Sequence, residues 1–202
     1  TSAPADVPVT GAGTGAMVLG DPDAPVSIIE FASVTCPHCA EFHKTEFPRL
    51  KKVYIDTGKV KIEFREFPTA PAQLSYLGSA LARCAADSRG PDAYFAMLGT
   101  LFHNQHAWVS EDFRTEILSY AAQAGMNEEQ FRACVGRDDI LAAINDNVKS
   151  GQDDFDVTGT PSFIINGKKA DFRTFDQVWT QIDAAVVDAG LELPESAEGA
   201  AE

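Results

Sequence analysis

The pattern that most restricts this fold is a long run of helical periodicity set between two short stretches of strand-like pattern. Near the start, Ala16-Met17-Val18-Leu19 is an apolar run stopped by Gly20-Asp21-Pro22-Asp23, which reads as a strand and a turn. Val26-Ser27-Ile28-Ile29-Glu30-Phe31 is apolar toward both faces, as in a central strand covered on two sides. A helix is predicted from near Cys36 to about Thr57, kinked at Pro48 and ended by Gly58. Val60-Lys61-Ile62-Glu63-Phe64 then alternates with the period of a half-covered strand. From about Gln73 to Asp156 the pattern is helical. Leu74, Leu77 and Leu81 share a face, as do Ile140, Ile144 and Val148, and Gly90-Pro91, Gly125 and Gly136 divide the stretch. Strand pattern returns at Ser162-Phe163-Ile164-Ile165, followed by Asn166-Gly167, the strongest short hairpin signal. Phe175, Val178, Trp179, Ile182 and Val186 stripe a last helix.

Residues 157–190 hold too little apolar material to bury a core alone, so two domains in series are excluded. The two strand-bearing stretches, 16–70 and 157–190, are therefore pieces of one α/β domain, and 71–156 is an all-helical insertion. Residues 1–15 and 191–202, poor in large apolar groups, read as flexible ends. The chain carries 30 acidic and 16 basic residues, a net charge of −14. So few cations cannot replace the counterions of a phosphate backbone, which excludes nucleic acid and disfavours anionic membranes. No apolar run approaches the roughly 18 residues of a membrane-spanning helix. The first fifteen residues lack the basic start and apolar core of a signal peptide, so either the chain is cytoplasmic or its signal has been removed.

Of the four cysteines, Cys36 and Cys39 follow a buried strand and open a helix. The first turn of a helix carries unpaired N–H groups and the positive end of its dipole, which favour an anion. Cys36 is thereby suited to act as a thiolate, the reactive form of sulfur, and Cys39 lies one turn deeper, placed to attack a mixed disulfide on Cys36. His38 is placed to add positive charge or a hydrogen bond to the Cys36 sulfur, and Pro37 suits a position where a missing N–H costs nothing. Zinc sites use the same Cys-x-x-Cys spacing, and a zinc reading recruits His43, or His103 and His106. Farther on, Val157-Thr158-Gly159-Thr160-Pro161-Ser162-Phe163 sets a proline directly before a strand; its peptide bond is either cis or a plain trans bond at a strand start.

Taken together, Gly20-Asp-Pro-Asp-Ala-Pro-Val26, Phe31-Ala-Ser-Val-Thr-Cys-Pro-His-Cys39, Phe64-Arg-Glu-Phe-Pro68 and Val157-Thr-Gly-Thr-Pro-Ser-Phe-Ile-Ile-Asn-Gly167 closely resemble the DsbA family of the thioredoxin superfamily, in its bacterial DsbA-like branch. The resemblance covers about residues 16–190. It implies a thioredoxin fold with an inserted all-helical domain and a thiol:disulfide oxidoreductase. Cys36 is similar to the exposed nucleophile of that family, Cys39 to its resolving cysteine, and Pro161 to its cis-proline, with Thr160 offering backbone groups to a substrate peptide. Glu30, six residues before Cys36, stands where the family carries a buried acid. In a strand apolar on both sides desolvation should raise its pKa, and its implied role is to accept or relay the proton of Cys39; the alternative is a strand-end carboxylate in solvent.

Cys84 and Cys134 are extra to the family's minimal pattern. Both have alanine neighbours on predicted helices, and in an oxidising compartment they are expected to form a structural disulfide, the alternative being two buried free thiols. The expected activity is dithiol oxidation of unfolded or secreted polypeptides, because a stabilised thiolate makes the disulfide a stronger oxidant. The redox disulfide Cys36–Cys39 is itself the redox group, so no bound cofactor or metal is expected. The resemblance also implies re-oxidation by a DsbB-like quinone-linked membrane protein. Some fifteen residues before the first strand cannot supply the dimerisation domain of the related isomerases, so a monomer is expected. The expected compartment is the bacterial periplasm or cell envelope, with the signal peptide expected to have been removed. The rivals are a reductase or isomerase on the same fold, and a metal-binding module using Cys36, Cys39 and a histidine.

Overall fold

The computed structural model describes residues 11–194. A five-stranded mixed sheet forms its centre, in the order β1 (Met17–Leu19), β3 (Val60–Glu66), β2 (Val26–Ala32), β4 (Ser162–Ile165), β5 (Lys168–Lys169). β2 runs parallel to β3 and antiparallel to β4, and β1 and β5 pair antiparallel at the edges. The parallel pair requires a crossover, which the helical stretch after Cys36 supplies. Asn166 (φ 48°) and Gly167 (φ 81°) both take left-handed backbone between β4 and β5, the two positions a tight hairpin turn demands.

The crossover is broken where its proline stands. α1 (Pro37–Thr45) gives way at Glu46, α2 (Phe47–Arg49) carries Pro48 in its first turn, and a π-helical turn spans Leu50–Ile55. Pro48 lacks the N–H that a continuous helix would use, so the ladder shifts register there. Phe42, Leu50, Tyr54 and Ile55 from this crossover bury one face of the sheet together with α9 (Phe175–Asp188), whose Val178, Trp179, Ile182 and Val186 point inward.

The helical block lies between β3 and β4 in the chain: α3 (Ala72–Arg89), α4 (Pro91–His103), α5 (Gln105–Trp108), α6 (Phe113–Gln123), α7 (Glu128–Val135) and α8 (Asp138–Phe155). It shares a core with the sheet, because Met17, Ala32, Val34 and Phe64 pack into the same cluster as Leu81, Leu98, Leu101, Phe102 and Trp108. Gly78 permits that contact. A Cβ there would lie 2.9 Å from the Trp108 ring and 3.0 Å from the Val34 side chain, closer than real atoms approach.

Two polar features fasten the block. A disulfide joins Cys84 on α3 to Cys134 on α7, with Cα atoms 6.0 Å apart. At the sheet side, Glu66 at the end of β3 is fully enclosed and accepts hydrogen bonds from Arg83 Nε (2.7 Å) and Nη2 (2.8 Å), Tyr94 (2.6 Å) and Asn147 (2.6 Å). Burial opposes the charge on Arg83, and the Glu66 carboxylate overcomes it, leaving the guanidinium pKa above its usual value. Burial, and then the same carboxylate, push the Tyr94 hydroxyl well above its usual pKa.

This network corrects the reading of the N-terminal end as flexible. Residues 1–10 lie outside the described residues, but 11–15 contain a 3₁₀ turn, Ala12–Thr14, with Gly13 buried. Gly13 N donates to Asp87 (2.7 Å), and Arg83 Nη1 donates to the carbonyls of Gly13 (2.8 Å) and Gly15 (3.2 Å). Short apolar-poor residues are held here by buried polar partners, which composition does not reveal. Leu191, read as the start of a flexible tail, packs against the α9 face of the core, and 195–202 lie outside the described residues.

Cys84 is fully buried, and neither partner of its disulfide sits at a helix N-terminus that would make it a good leaving group. Graded reduction followed by alkylation and mass mapping is therefore expected to open Cys36–Cys39 first. Opening of all four thiols at one reductant concentration would contradict this.

Candidate active site

β2 ends at Ala32, and the chain turns through Ser33-Val34-Thr35 into α1, with Cys36 as its N-cap (φ −78°, ψ 123°) and Pro37 in the first turn. Cys36 reaches the rim of the protein with 9% exposure, whereas Cys39 has none. Both are free thiols. The turn is fixed from both sides. Ser33 Oγ bonds Thr35 Oγ1 (3.0 Å) and Ser75 Oγ (2.8 Å), and Gln105 Nε2 donates to the carbonyls of Val34 (2.9 Å) and Cys36 (3.0 Å).

The two sulfurs are driven apart in acidity. The pKa of Cys36 is lowered from 9.0 to about 5, first by the hydrogen bond that the Cys39 thiol donates to it. Burial works against the shift. The Thr160 side chain and the backbone N–H groups of Cys39 and His38 then add to it. As a neutral thiol Cys36 makes no capping bond to the helix; once ionised, its sulfur is the acceptor for those first-turn donors. Cys39 moves the other way: burial first, then the hydrogen bond to Cys36 and the Cys36 charge, push its pKa well above 9.0, with a smaller push from Glu30. One sulfur is thus suited to be a nucleophile and leaving group, the other to hold its proton.

Thiolate absorbance followed against pH on the reduced protein is expected to show one thiol ionising near pH 5 and the other only above pH 9. A first transition above pH 8 would contradict the arrangement.

Thr160–Pro161 is a cis peptide bond and lies against the redox pair. The neutral Cys36 thiol donates to the Thr160 carbonyl at 3.4 Å. A second cis bond, Ala70–Pro71, which the sequence reading did not single out, follows the carbonyls of Thr69 and Ala70 that accept from Thr35 Oγ1. Beside Pro161 runs a groove of about 700 Å³, lined by His38 and Glu41 of α1, Thr160 and Pro161, and Phe172 and Phe175 before and within α9.

The expectation for His38 changes, and of the two readings of Glu30 the structure takes the buried one. His38 is exposed, and the contribution it makes to Cys36 comes from its backbone N–H; its imidazole makes no bond to the sulfur and faces the groove. Glu30 is enclosed rather than in solvent at a strand end, with no exposure, and both carboxylate oxygens bond Nε2 of His43 (3.0 and 3.1 Å). His43 therefore turns to Glu30, and His103 Nδ1 bonds the Gly99 carbonyl. Among the described residues no three His, Cys, Asp or Glu side chains gather where an ion could sit.

Fold and site together define a thioredoxin-fold protein with a dithiol at the first turn of its first long helix. The family model described as thioredoxin matches residues 13–184, and the chain belongs to that family, within its DsbA-like branch. It superposes on the crystal structure of Wolbachia pipientis alpha-DsbA1 with a TM-score of 0.76 and 28% identity, covering 87% of this chain and 92% of that one. A Rickettsia conorii protein, provisionally named a protein-disulfide oxidoreductase, is 33% identical over 84% of this chain and 60% of its own length. The chain thus spans about three fifths of that relative. The Bacillus subtilis disulfide bond formation protein D is 28% identical over 84% of this chain and 76% of its own length.

Proposed function

We propose that the protein is a dithiol oxidase that introduces disulfide bonds into unfolded or secreted polypeptides. The observation that carries this reading is the asymmetric pair: Cys36 at a helix N-terminus on the rim beside a peptide-sized groove, and Cys39 enclosed beneath it. In the cycle, a substrate thiolate attacks the Cys36 sulfur of the oxidised pair. The Cys36–Cys39 bond breaks, and Cys39 leaves with the electron pair and takes up a proton. A second substrate thiolate then attacks the substrate sulfur of the mixed disulfide and displaces Cys36 as its stable thiolate. Stabilising that leaving group favours the reduced enzyme, which is what makes the disulfide oxidising. The Thr160–Pro161 segment is read as the edge on which an extended substrate lies, in a strand-addition mode.

An oxidase is useful only where disulfides persist, so the periplasm is the proposed compartment, and the Cys84–Cys134 disulfide is consistent with it. The proposed partner for re-oxidation is a DsbB-like quinone-linked membrane protein, with the oxidase acting as a monomer. Equilibrating the protein across a series of glutathione redox buffers tests the assignment. A potential well above the roughly −270 mV of thioredoxin supports an oxidase. A potential at or below that value would make the protein a reductase.

A further inference from the structure

Resolution at Cys39 requires a proton to move in and out of an enclosed site. The sulfur has no exposure and sits in an apolar cluster, and the carboxylate of Glu30 is a charge that acts on it. Glu30 is itself sealed, so it cannot exchange with water directly. Its one side-chain partner is His43, which lies four residues after Cys39 on α1 and therefore one turn below it on the same face.

The histidine is held as a fixed part. Its ring stacks between Phe102 (centroids 4.1 Å, 17°) and Phe47 (4.7 Å, 24°), with Phe42 and Phe64 edge-on. Around it α2, α4 and β3 present these aromatic rings, Glu30 of β2 bonds its Nε2, and Cys39 lies one turn before it on its own helix. Nε2 is committed to Glu30. Among the described residues the other ring nitrogen has no hydrogen-bond partner, and it is not among the enclosed unpaired atoms, so it keeps some exposure in a histidine that is 5% exposed. An imidazole with one nitrogen on a buried acid and the other toward water can take up a proton on one side and release one on the other.

We propose that His43 is the positioning residue for proton exchange at Cys39, connecting solvent to the Glu30 carboxyl. During re-oxidation, Cys39 loses its proton to this pair as its sulfur attacks the mixed disulfide on Cys36, forming the Cys36–Cys39 bond and expelling the attached thiolate. In the oxidase direction the same pair returns a proton to the departing Cys39 sulfur. The inference rests on the thiol–disulfide exchange reading above and adds the path that its buried step needs.

Re-oxidation by oxidised glutathione separates the steps, and quench-flow trapping with mass spectrometry counts each species. Capture of glutathione by Cys36 needs no proton from Cys39; resolution of the Cys36–glutathione bond does. His43→Gln preserves a hydrogen bond to Glu30 but cannot exchange a ring proton, and His43→Phe extends the aromatic stack and removes the bond. In both, resolution is expected to slow by about 10²-fold, the scale of one general acid–base group. Capture should stay within about twofold, and the solvent deuterium isotope effect on resolution should rise. His43→Gln guards against a folding defect, since a merely structural role would slow both steps or neither. Unchanged resolution in His43→Gln, or equal slowing of capture and resolution, overturns the role of His43 and leaves the oxidoreductase reading intact. Failure of the unsubstituted protein to capture glutathione at all would overturn that reading instead.

Discussion

Raising the pH from 5 to 9 is expected to stabilise the reduced protein against the oxidised one by about 1 kcal/mol per pH unit. Cys36 has its pKa lowered from 9.0 to about 5 in the folded dithiol. Between those values the unfolded reduced chain binds a proton that the folded one has released, so stability of the reduced form rises with pH. One unit corresponds to about 1.4 kcal/mol in the middle of the window, and the average is about 1 kcal/mol because titration is only half complete at each end. The contribution is complete above pH 9 and is lost as pH falls through 5. Cys39 has the opposite sign: its raised pKa leaves it protonated in both states below 9, and it begins to oppose folding's gain only above that. In the oxidised form neither sulfur titrates, while the other ionisable groups are common to both redox forms and the entropy of the short closed loop does not depend on pH. The gap in melting temperature between the two redox forms should therefore widen by about 2–4 °C per pH unit for a chain of this size. A gap that stays constant from pH 5 to 9 would show that Cys36 is not held as a thiolate.

Arg83→Leu is the second large expected effect, a loss of about 3–5 kcal/mol in stability. The substitution leaves Glu66 enclosed without its counter-charge and removes the donor to the Gly13 and Gly15 carbonyls. Replacing both charges, as Glu66→Met with Arg83→Leu, should recover part of the loss, because the penalty comes from the stranded carboxylate rather than from the missing attraction. Urea denaturation at pH 7 measures both. A single variant within 1 kcal/mol of the parent would mean that the network contributes little.

The contrast between these two sites marks what the sequence can reveal. Cys36, Pro37, Cys39 and Pro161 announce themselves through neighbours within a few positions: a buried strand before, a helix after, a proline directly ahead of a strand. The same local logic gave the sheet strands, the kink at Pro48 and the Asn166-Gly167 turn. Glu66, Arg83, Tyr94 and Asn147 come from four separate elements, and no periodicity links a glutamate at a strand end to an arginine seventeen residues on. Gly13 reads as loose for the same reason, since the groups that hold it stand 70 and 74 residues away. His43 falls between. Its four-residue spacing from Cys39 was a usable signal, yet the sequence offered it only as a metal ligand, because the register that brings Glu30 beneath it is a property of the assembled sheet. His38 acts on Cys36 through its backbone N–H, because the first turn of a helix directs its backbone, not its side chain, toward the N-cap.

Gln105 carries a consequence for how such a protein can vary. Its side chain leaves the helical block and grips the carbonyls on either side of the turn that presents Cys36. The reactive sulfur is therefore aimed by a residue sixty-nine positions away that takes no part in electron transfer. Drift in the packing of α4 and α5 would be felt as drift in oxidising power, so the inserted helices cannot be exchanged for another module of the same size without retuning the chemistry they frame.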